Sequence, residues 1–235
     1  MDIKSAILNV LIGLILLSVF LLCMLPPIIL IKYYQLHISE DVMQFAFGTL
    51  KYLLLLFGVS FGSFLFIPGF LFRIARLTPK EGEYELTVKN KEVFKWILAQ
   101  GLYTISLIAG RMFIHAKLLV FKLFGAKIGK GVLFQGWTTD PFLTEVGDFS
   151  VIGGGAKILA HIADKPGRII FRRVKIGKYC LIGFNALIMP GAVLDDYVIL
   201  GAYTLIPKDA KLDRGLWVGI PARKIRDVNP DELMR

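Results

Sequence analysis

The sequence has few of the residues that build disulfides and metal sites. It contains two cysteines and three histidines in 235 residues. Cys23 lies in a long apolar stretch and Cys180 among short repeated segments, so neither has metal-ligand spacing or an evident pairing partner. Both are interpreted as small buried apolar residues. No metal is predicted. Nucleic-acid binding is not predicted either, because no motif of interleaved aromatic and basic residues accompanies the net charge of +10.

Charged residues are absent from two apolar stretches near the beginning of the chain. Ser5 to Ile31 and Tyr52 to Phe72 contain none, and a helix that crosses a bilayer needs about 20 such residues. We therefore predict a hairpin of transmembrane helices in residues 1–75, with spans at about 5–31 and 52–72.

Basic residues follow the second stretch more densely than they precede the first. Arg73, Arg76 and Lys80 come directly after it, whereas Lys4 alone precedes the first stretch. The positive-inside rule therefore predicts an integral membrane protein with both termini in the cytoplasm.

Residues 76–125 are expected to connect the hairpin to the rest of the chain. The segment from Leu77 to Glu92 is polar, and Val93 to Phe124 is apolar and helical but broken by basic residues. With Trp96 near its start, an interfacial helix lying in the membrane plane is the favoured interpretation. A third span is the alternative, and it would place the remainder of the chain outside the cell.

Aliphatic residues recur every six positions in the second half of the chain. A fixed period of six predicts the coils of a parallel β-helix over residues 126–211, with three flat faces in each coil. A β-sandwich is the alternative, but its strands recur at wider and less regular intervals. The positions on this grid are Ile128, Phe134, Val146, Ile152, Ile158, Ile176, Ile182, Ile188, Leu194, Leu200 and Ile206.

Each repeat has three expected roles for its residues. The aliphatic residue points into the coil, and a glycine that often follows it, as in Ile176-Gly177, allows the tight backbone of a corner. A small or β-branched residue four positions after the aliphatic one, such as Ala186 after Ile182, fills the remaining inward space.

The grid is interrupted once, between Ile158 and Ile176. The Pro-Gly pair and the charges of residues 164–173 predict a loop, and insertions in solenoids often line a binding site. His161, the only histidine of the repeat region, directly precedes this loop. Since a histidine can accept a proton near neutral pH, His161 is a candidate general base; a surface histidine at the start of a loop is the alternative.

The stretch from Ala126 to Arg226 resembles the hexapeptide-repeat acyltransferases. The resemblance lies in V-K-I-G-K-Y-C-L-I-G-F-N-A-L-I-M-P-G-A-V (174–193), L-G-A-Y-T-L-I-P-K-D (200–209) and V-G-I-P-A-R-K-I-R (218–226). It implies a left-handed parallel β-helix, acetyl-CoA as co-substrate, His161 as catalytic base and a homotrimer with active sites between subunits. The runs 125–132, 140–148 and 160–164 further resemble a membrane-embedded subgroup found as carboxy-terminal modules of some peptide synthetases.

The same resemblance implies the residues of the site. Phe184 and Pro207 depart from the small residue and the threonine that the family often has, and Lys208, Arg223 and Arg226 match basic residues near the CoA phosphates. The last two fall in residues 212–235, expected to form a cofactor-binding turn and a tail. The implied cofactor positions are Gly183, Phe184, Gly201, Ala202, Pro207, Lys208, Arg223 and Arg226. Asp164, Asp140 and Glu145 are the candidate carboxylates that orient His161, and the sequence does not choose among them.

These features together predict a membrane-anchored acyltransferase, in the simplest case an acetyltransferase. The acetyl group of acetyl-CoA would pass to a hydroxyl or amine of a small molecule, a lipid-linked sugar or another membrane-associated acceptor, with the β-helix on the cytoplasmic side. Acylation outside the cell and a non-catalytic trimeric membrane scaffold are alternatives. A γ-class carbonic anhydrase is disfavoured because it needs three zinc-binding histidines.

Overall fold

The computed structural model describes residues 3–34, 42–111 and 114–233, with the side chains of residues 6–33, 48–111 and 116–231. Residues 1–2, 35–41, 112–113 and 234–235, which fall in the predicted regions 1–75, 76–125 and 212–235, lie outside the described residues. The helices are α1 (Ile3–Tyr34), α2 (Val42–Ile74), α3 (Lys91–Gly110), α4 (Ile114–Leu123) and α5 (Pro230–Leu233). The strands are β1 (Gly82–Glu85), β2 (Lys127–Ile128), β3 (Leu133–Phe134), β4 (Trp137–Thr138), β5 (Thr144–Val146), β6 (Val151–Ile152), β7 (Lys157–Ile158), β8 (His161–Lys165), β9 (Arg168–Phe171), β10 (Val174–Ile176), β11 (Leu181–Ile182), β12 (Leu187–Ile188), β13 (Val193–Leu194), β14 (Val198–Leu200), β15 (Leu205–Ile206), β16 (Lys211–Leu212), β17 (Gly215–Val218) and β18 (Arg223–Arg226).

The chain divides into two compact units. The first comprises Met1–Leu77 and Ile97–Val120, and the second comprises Thr78–Trp96 and Phe121–Arg235. The chain therefore passes from the second unit to the first within α3, between Trp96 and Ile97.

Three helices contain segments that are long and apolar enough to cross a membrane. By length and composition these are Ala6–Tyr33 of α1, Gly48–Ile74 of α2 and Lys91–Gly110, which is all of α3. Many large apolar side chains of α1 and α2 are exposed, Ile29 and Leu54 among them. A helix that is apolar on all sides is typical of a buried or membrane-spanning position.

Serine hydroxyls in the first unit bond carbonyls that prolines leave free. Pro27 lacks the N–H that would bond the Cys23 carbonyl, and Ser63 Oγ of α2 donates to that oxygen over 2.8 Å. Pro68 frees the Phe64 carbonyl in the same way, and Ser106 Oγ of α3 lies 3.1 Å from that oxygen and 3.0 Å from the Leu65 carbonyl. Such bonds make prolines tolerable in apolar helices, and they link α1 to α2 and α2 to α3.

α3 also packs closely against α1. A Cβ added at Gly101 would lie 2.5 Å from the Leu16 side chain, so Leu16 of α1 packs directly on the backbone of α3 at this position. Glycine at such a contact lets two helix backbones come together. The part of α3 in the first unit therefore contacts both α1 and α2.

Three parallel faces wind into a β-helix in the second unit. The faces are β2-β5-β10-β13-β16, β3-β6-β11-β14-β17 and β4-β7-β12-β15. In the regular coils, Ile176 lies opposite Leu194 and Ile188 opposite Ile206, each eighteen residues later and therefore three six-residue sides along. The predicted left-handed β-helix of hexapeptide repeats is confirmed.

The aliphatic grid residues form the core of the β-helix. They stack on their equivalents in neighbouring coils, and the small residues of each repeat fill the space beside them. The fully buried aliphatic members are Ile152, Ile158, Ile182, Ile188 and Ile206, and the fully or nearly fully buried small members include Ala156, Ala186, Ala192 and Thr204.

The repeat glycines serve close packing between coils. A Cβ added at Gly177 would lie 2.6 Å from the Asp195 carbonyl carbon, and one at Gly183 would lie 2.5 Å from that of Gly201. Positive φ angles instead fall three residues after nine of the eleven grid positions, at Gly131, Phe149, Gly155, Tyr179, Asn185, Gly191, Tyr197, Tyr203 and Asp209. The prediction that the glycine supplies the corner conformation was wrong, because its role is to admit the backbone of the next coil.

The interruption of the grid is a β-hairpin, where residues 164–173 were expected to form a loop. β8 and β9 pair in antiparallel fashion around Pro166-Gly167, and β1 adds to the other edge of β9. The strand forms because Ile169, Ile170 and Phe171 are buried, so their backbone groups need partners within a sheet.

One coil departs from the six-residue spacing next to this hairpin. The grid would place residue 140 opposite Ile158, but Thr138 occupies that position. A 3-10 helix at Pro141–Leu143 accommodates the extra residues. Asp140 precedes this helix, and it is buried although it does not belong to the aliphatic stack.

Candidate active site

His161 and Asp140 form a hydrogen-bonded pair at the start of the hairpin. Nδ1 of His161 lies 2.6 Å from Oδ2 of Asp140. The Asp140 side chain is completely buried, whereas 25% of the His161 side chain is exposed. A carboxylate accepts a hydrogen bond from Nδ1–H, which leaves the lone pair on Nε2 of the neutral ring. The pair is therefore arranged so that the partly exposed ring can accept a proton at Nε2.

Three further donors hold the Asp140 carboxylate. Oδ1 accepts from Trp96 Nε1 over 3.0 Å, and Oδ2 accepts from Thr139 Oγ1 over 2.7 Å and from the Ala160 N–H over 3.3 Å. A buried charge is tolerated only with such partners. These bonds also fix the plane of the carboxylate, and with it the direction from which Asp140 meets His161.

Aromatic rings pack beside the histidine. The Trp96 and His161 ring centroids lie 4.8 Å apart, at an interplanar angle of 62°. Trp96 in turn contacts Phe171 of β9 at 5.7 Å, and Phe171 contacts Tyr84 of β1 at 5.8 Å between centroids. The imidazole is therefore bordered by an aromatic cluster drawn from α3, β9 and β1.

The other two candidate carboxylates are paired with cations. Glu145 accepts from Lys127 at 2.8 Å and from Arg173 at 3.1 Å. Burial acts to raise the pKa of Glu145, but the hydrogen bond from Lys127 and the neighbouring positive charges hold it below its usual value. Asp164 forms an ion pair with Arg168 of β9. Of the three carboxylates, Asp140 is the one that the structure bonds to His161.

Four of the predicted cofactor positions lie where adjacent coils meet. Gly183 and Gly201 stack in neighbouring coils without side chains between them, and Ala202 is exposed. Phe184 is 54% exposed and contacts the ring of Tyr203, with 6.0 Å between centroids. The aromatic pair thus projects from the corner that follows the stacked glycines.

The predicted basic positions fall in two places. Arg223 and Arg226 are exposed on β18, which pairs with β17 in a hairpin that follows the last full coil. Pro207 and Lys208 are exposed after β15. The hydrogen bond from Arg168 lowers the pKa of Asp164, and the positive charge of Lys208 contributes to the same shift. Lys208 is therefore within electrostatic reach of the hairpin that begins at His161.

Trp96 and Thr139 both donate hydrogen bonds to Asp140, and neither was predicted from the sequence to belong to the site. The sequence suggests only an interfacial role for Trp96, which lies 44 residues from Asp140 along the chain. One signal for Asp140 itself is visible in the sequence, since a charged residue stands at a grid position that should be aliphatic. Among the described residues, no group of three or more His, Cys, Asp or Glu side chains could hold a metal ion.

No family model matches the chain. Among curated proteins, the Delta-poly-L-ornithine synthetase of Acinetobacter baumannii is 31% identical over 120 residues, which cover 48% of this chain and 9% of that protein. The carnitine operon protein CaiE of Escherichia coli (strain K12) is 34% identical over 111 residues, which cover 46% of this chain and 48% of CaiE. The chain thus spans about half, or much less, of the length of the curated relatives it matches.

A solved structure shares the fold more completely. It is a hexapeptide-repeat-containing acetyltransferase from Vibrio cholerae O1 biovar eltor, determined in complex with acetyl-coenzyme A. The match covers 66% of this chain and 98% of that one, with a TM-score of 0.51 and 15% sequence identity. The chain is therefore a hexapeptide-repeat protein whose left-handed β-helix is of the kind found in this acetyltransferase.

Proposed function

We propose that the protein is a CoA-dependent acyltransferase, and that it moves an acetyl group from acetyl-CoA to a hydroxyl or an amine. The observation that carries the proposal is the bond between partly exposed His161 and fully buried Asp140, beside the hairpin that interrupts the hexapeptide coils. Similarity to a β-helix protein named as an acetyltransferase and solved with acetyl-coenzyme A supports the choice of donor.

In the proposed reaction His161 acts as the general base. Acetyl-CoA, when bound, supplies the acetyl group activated as a thioester. Nε2 of His161 takes the proton from the acceptor O–H or N–H while that oxygen or nitrogen forms a bond to the thioester carbonyl carbon. The imidazolium then returns the proton to sulfur as the C–S bond breaks. Positioned general bases contribute about 10²–10⁴-fold to such rates.

Asp140 has two roles in this scheme. It keeps the proton on Nδ1, so that Nε2 is the basic atom, and its negative charge stabilises the imidazolium that forms during the reaction. Asp164 and Glu145 are assigned no part in orienting the ring, because Arg168 and Lys127 respectively occupy their oxygens.

The residues of the coil corners suit an extended pantetheine arm. The stacked glycines Gly183 and Gly201 leave the backbone open to close approach, with Ala202 exposed beside them. A backbone N–H near Phe184 would stabilise negative charge on the thioester oxygen during the reaction.

Cations and a proline complete the proposed CoA site. Arg223 and Arg226 on β18 present guanidinium groups that can bind phosphate in a bidentate manner. Lys208 adds a cation nearer the hairpin, while Pro207 offers no hydroxyl for a hydrogen bond.

A homotrimer is proposed because one face of the β-helix is apolar on the outside. This face is formed by β3, β6, β11, β14 and β17, and its outward-facing residues are aliphatic in five successive coils. Leu133 and Leu181 are 48% and 42% exposed. An exposed patch of this kind marks an association surface. The five residues are Leu133, Val151, Leu181, Ile199 and Leu216. Leu181→Lys should reduce the mass measured by light scattering from that of a trimer to that of a monomer.

We also propose that α1 and α2 span the membrane and that α3 inserts beside them without crossing. Its contacts through Gly101 and Ser106 argue against an interfacial helix lying apart from the bundle. The chain leaves the β-helix unit after Trp96 and re-enters it at Phe121. The ten residues of α4 extend about 15 Å, too little to recross a hydrocarbon core of about 30 Å.

This topology keeps the β-helix on the side where α2 ends, which the positive-inside rule assigns to the cytoplasm. Acetyl-CoA is then available to the site. Anchoring favours an acceptor in or near the membrane, such as a lipid-linked sugar or a lipid headgroup with a free hydroxyl or amine. In a variant without Cys23 and Cys180, Arg76→Cys should be labelled by a membrane-impermeant thiol reagent only after the membrane is opened.

The proposed function is tested by separating binding from transfer. His161→Ala should bind acetyl-CoA with a Kd within about twofold of wild type, but release CoA thiol in protein-containing membranes at least about 10²-fold more slowly. Unchanged thiol release by His161→Ala would rule out the general-base mechanism. Failure of the wild-type protein to bind acetyl-CoA would leave the non-catalytic scaffold as the function.

A further inference from the structure

One donor to the buried carboxylate comes from outside the β-helix. The indole N–H of Trp96, in the second turn of α3, donates to Oδ1 of Asp140 over 3.0 Å. The same indole ring contacts the His161 ring edge-on at 4.8 Å between centroids. Trp96 therefore touches both members of the candidate pair, one through a hydrogen bond and the other through its ring.

The first turn of α3 is held firmly enough to place this indole. Asn90 Oδ1 accepts from the Glu92 N–H over 3.0 Å and caps the helix. Glu92 in turn accepts from the Lys80 N–H over 2.8 Å and pairs with Lys95 at 3.1 Å. On its other side, the indole packs against Phe171 of the hairpin.

We propose that Trp96 is a positioning residue for acyl transfer, acting through Asp140 on His161. This inference rests on the proposed function. The Oδ2 side of the carboxylate is bonded by Thr139, Ala160 and His161, and Trp96 holds the Oδ1 side, so the indole restrains rotation about the Cβ–Cγ bond. Loss of this donor removes one restraint on the carboxylate plane and, through it, on the direction in which Nε2 points.

Loss of the Trp96 hydrogen bond should affect the chemical step of acyl transfer and not the binding of acetyl-CoA. The proposed CoA contacts lie at Gly183, Gly201 and the arginines of β18, and none of them is a partner in these bonds. A small misplacement of a catalytic group lowers the rate of reaction without weakening the binding of a substrate held elsewhere. Trp96 should therefore influence kcat and leave the KM for acetyl-CoA unchanged.

Trp96→Phe tests this directly, since it removes the indole N–H and keeps an aromatic ring beside His161. We expect kcat to fall about tenfold while the KM for acetyl-CoA stays within about twofold. Tyr197→Phe is the control: Tyr197 stacks on Tyr179 with 5.2 Å between centroids, neither ring belongs to the proposed site, and the change should leave kcat within about twofold of wild type. An unchanged kcat in folded Trp96→Phe would overturn the proposal.

A double-mutant cycle distinguishes positioning from a general structural role. If Trp96 acts through Asp140, then Trp96→Phe should lower kcat by less than about twofold in an Asp140→Asn background. Independent multiplication of the two losses would contradict the proposal. Two controls separate the hypotheses: absence of acetyl transfer by the wild-type protein refutes the proposed function, and normal transfer by His161→Ala refutes the proposed base. Loss of transfer in His161→Ala with full activity in Trp96→Phe refutes only this inference.

A spectroscopic measurement keeps the proposal testable even if Trp96→Phe does not fold. The chain has three tryptophans and therefore three indole N–H signals. In Asp140→Asn, the signal of Trp96 should shift while that of Trp217 stays in place. A Trp96 signal that does not respond to this change would mean that the indole does not bond Asp140.

Discussion

Replacement of Asp140 by asparagine is the most informative single change to the site. The side chain keeps its shape, but one acceptor oxygen becomes an NH₂ donor. In the native site, Oδ2 faces Nδ1 of His161 at 2.6 Å, the Ala160 N–H at 3.3 Å and the Thr139 hydroxyl at 2.7 Å, while Oδ1 faces the Trp96 N–H at 3.0 Å.

Neither orientation of the new amide satisfies these donors. With NH₂ in the Oδ2 position, it faces the Ala160 N–H, and His161 must accept at Nδ1 and carry its proton on Nε2. With NH₂ in the Oδ1 position, two donors, the amide and the Trp96 indole, face each other. A buried donor left without an acceptor costs about 1–3 kcal/mol.

The first orientation removes the base. With its proton on Nε2, the imidazole cannot accept one from the acceptor, and the charge that stabilised the imidazolium is also lost. In a serine protease triad, the same change at the buried aspartate that orients the histidine lowers kcat by about 10⁴-fold. We therefore expect Asp140→Asn to lower CoA thiol release by about 10²–10⁴-fold, with acetyl-CoA binding by calorimetry unchanged.

Asp148→Asn is the matched control for this experiment. Asp148 accepts from the Lys130 N–H at a coil corner over 2.9 Å, and asparagine can accept the same bond. The control should keep both transfer and binding. Full transfer by Asp140→Asn, with loss of transfer in Asp164→Asn or Glu145→Gln, would refute the reasoning and assign the orienting role to another carboxylate.

Three further predictions concern the fold. Gly177→Ala should destabilise the β-helix by about 1–3 kcal/mol in thermal unfolding because its Cβ would meet backbone, whereas the Cβ of Gly154→Ala would lie 3.5 Å from its nearest neighbour and should have little effect. Glu145→Gln should lower the free energy of unfolding by about 1 kcal/mol at neutral pH. Since the folded-state pKa of Glu145 is lowered, this difference between the variant and the wild type should be present above the ordinary glutamate pKa and vanish as the pH falls through the folded-state pKa. Ser106→Ala should weaken the helix bundle by about 1 kcal/mol, and by less in a Pro68→Ala background, where a restored N–H bonds the Phe64 carbonyl and the Leu65 carbonyl remains as an acceptor for Ser106. Equal losses in both backgrounds would contradict the role of Ser106 in satisfying the Phe64 carbonyl.

The β-helix could be predicted from the sequence because the same packing arrangement of buried side chains repeats along the chain. Each inward residue stacks on a residue of the same kind in the next coil, as Ile182 does on Leu200. The three faces of a coil repeat the same pattern, so a buried aliphatic residue recurs every six positions. The role of the glycines was not predictable in the same way. A glycine after an aliphatic residue is equally consistent with an unusual φ angle and with a close neighbour, and the structure distinguishes the two through the φ angles and through the approach of Asp195 to Gly177.

The candidate site was predictable only in part, for a related reason. His161 is marked by the interruption of the period, which is a property of the sequence. The choice of Asp140 over Asp164 and Glu145 depends on which cations reach each carboxylate. Lys127 and Arg173 reach Glu145 from elsewhere in the chain, and Arg168 reaches Asp164 because residues 164–173 fold into a hairpin. Trp96 could not be linked to the site because an apolar helix gives a tryptophan two equally good explanations, membrane contact and hydrogen bonding to a buried acceptor.

The hypothesis of acyl transfer is tested most directly by a structure of the protein with acetyl-CoA bound. We predict that the pantetheine arm lies along Gly183 and Gly201, with the phosphates near Arg223 and Arg226. The thioester carbonyl carbon should face Nε2 of His161, with space between them for one hydroxyl or amine. A thioester bound elsewhere, with His161 directed away from it, would contradict the proposed role of His161 as the base.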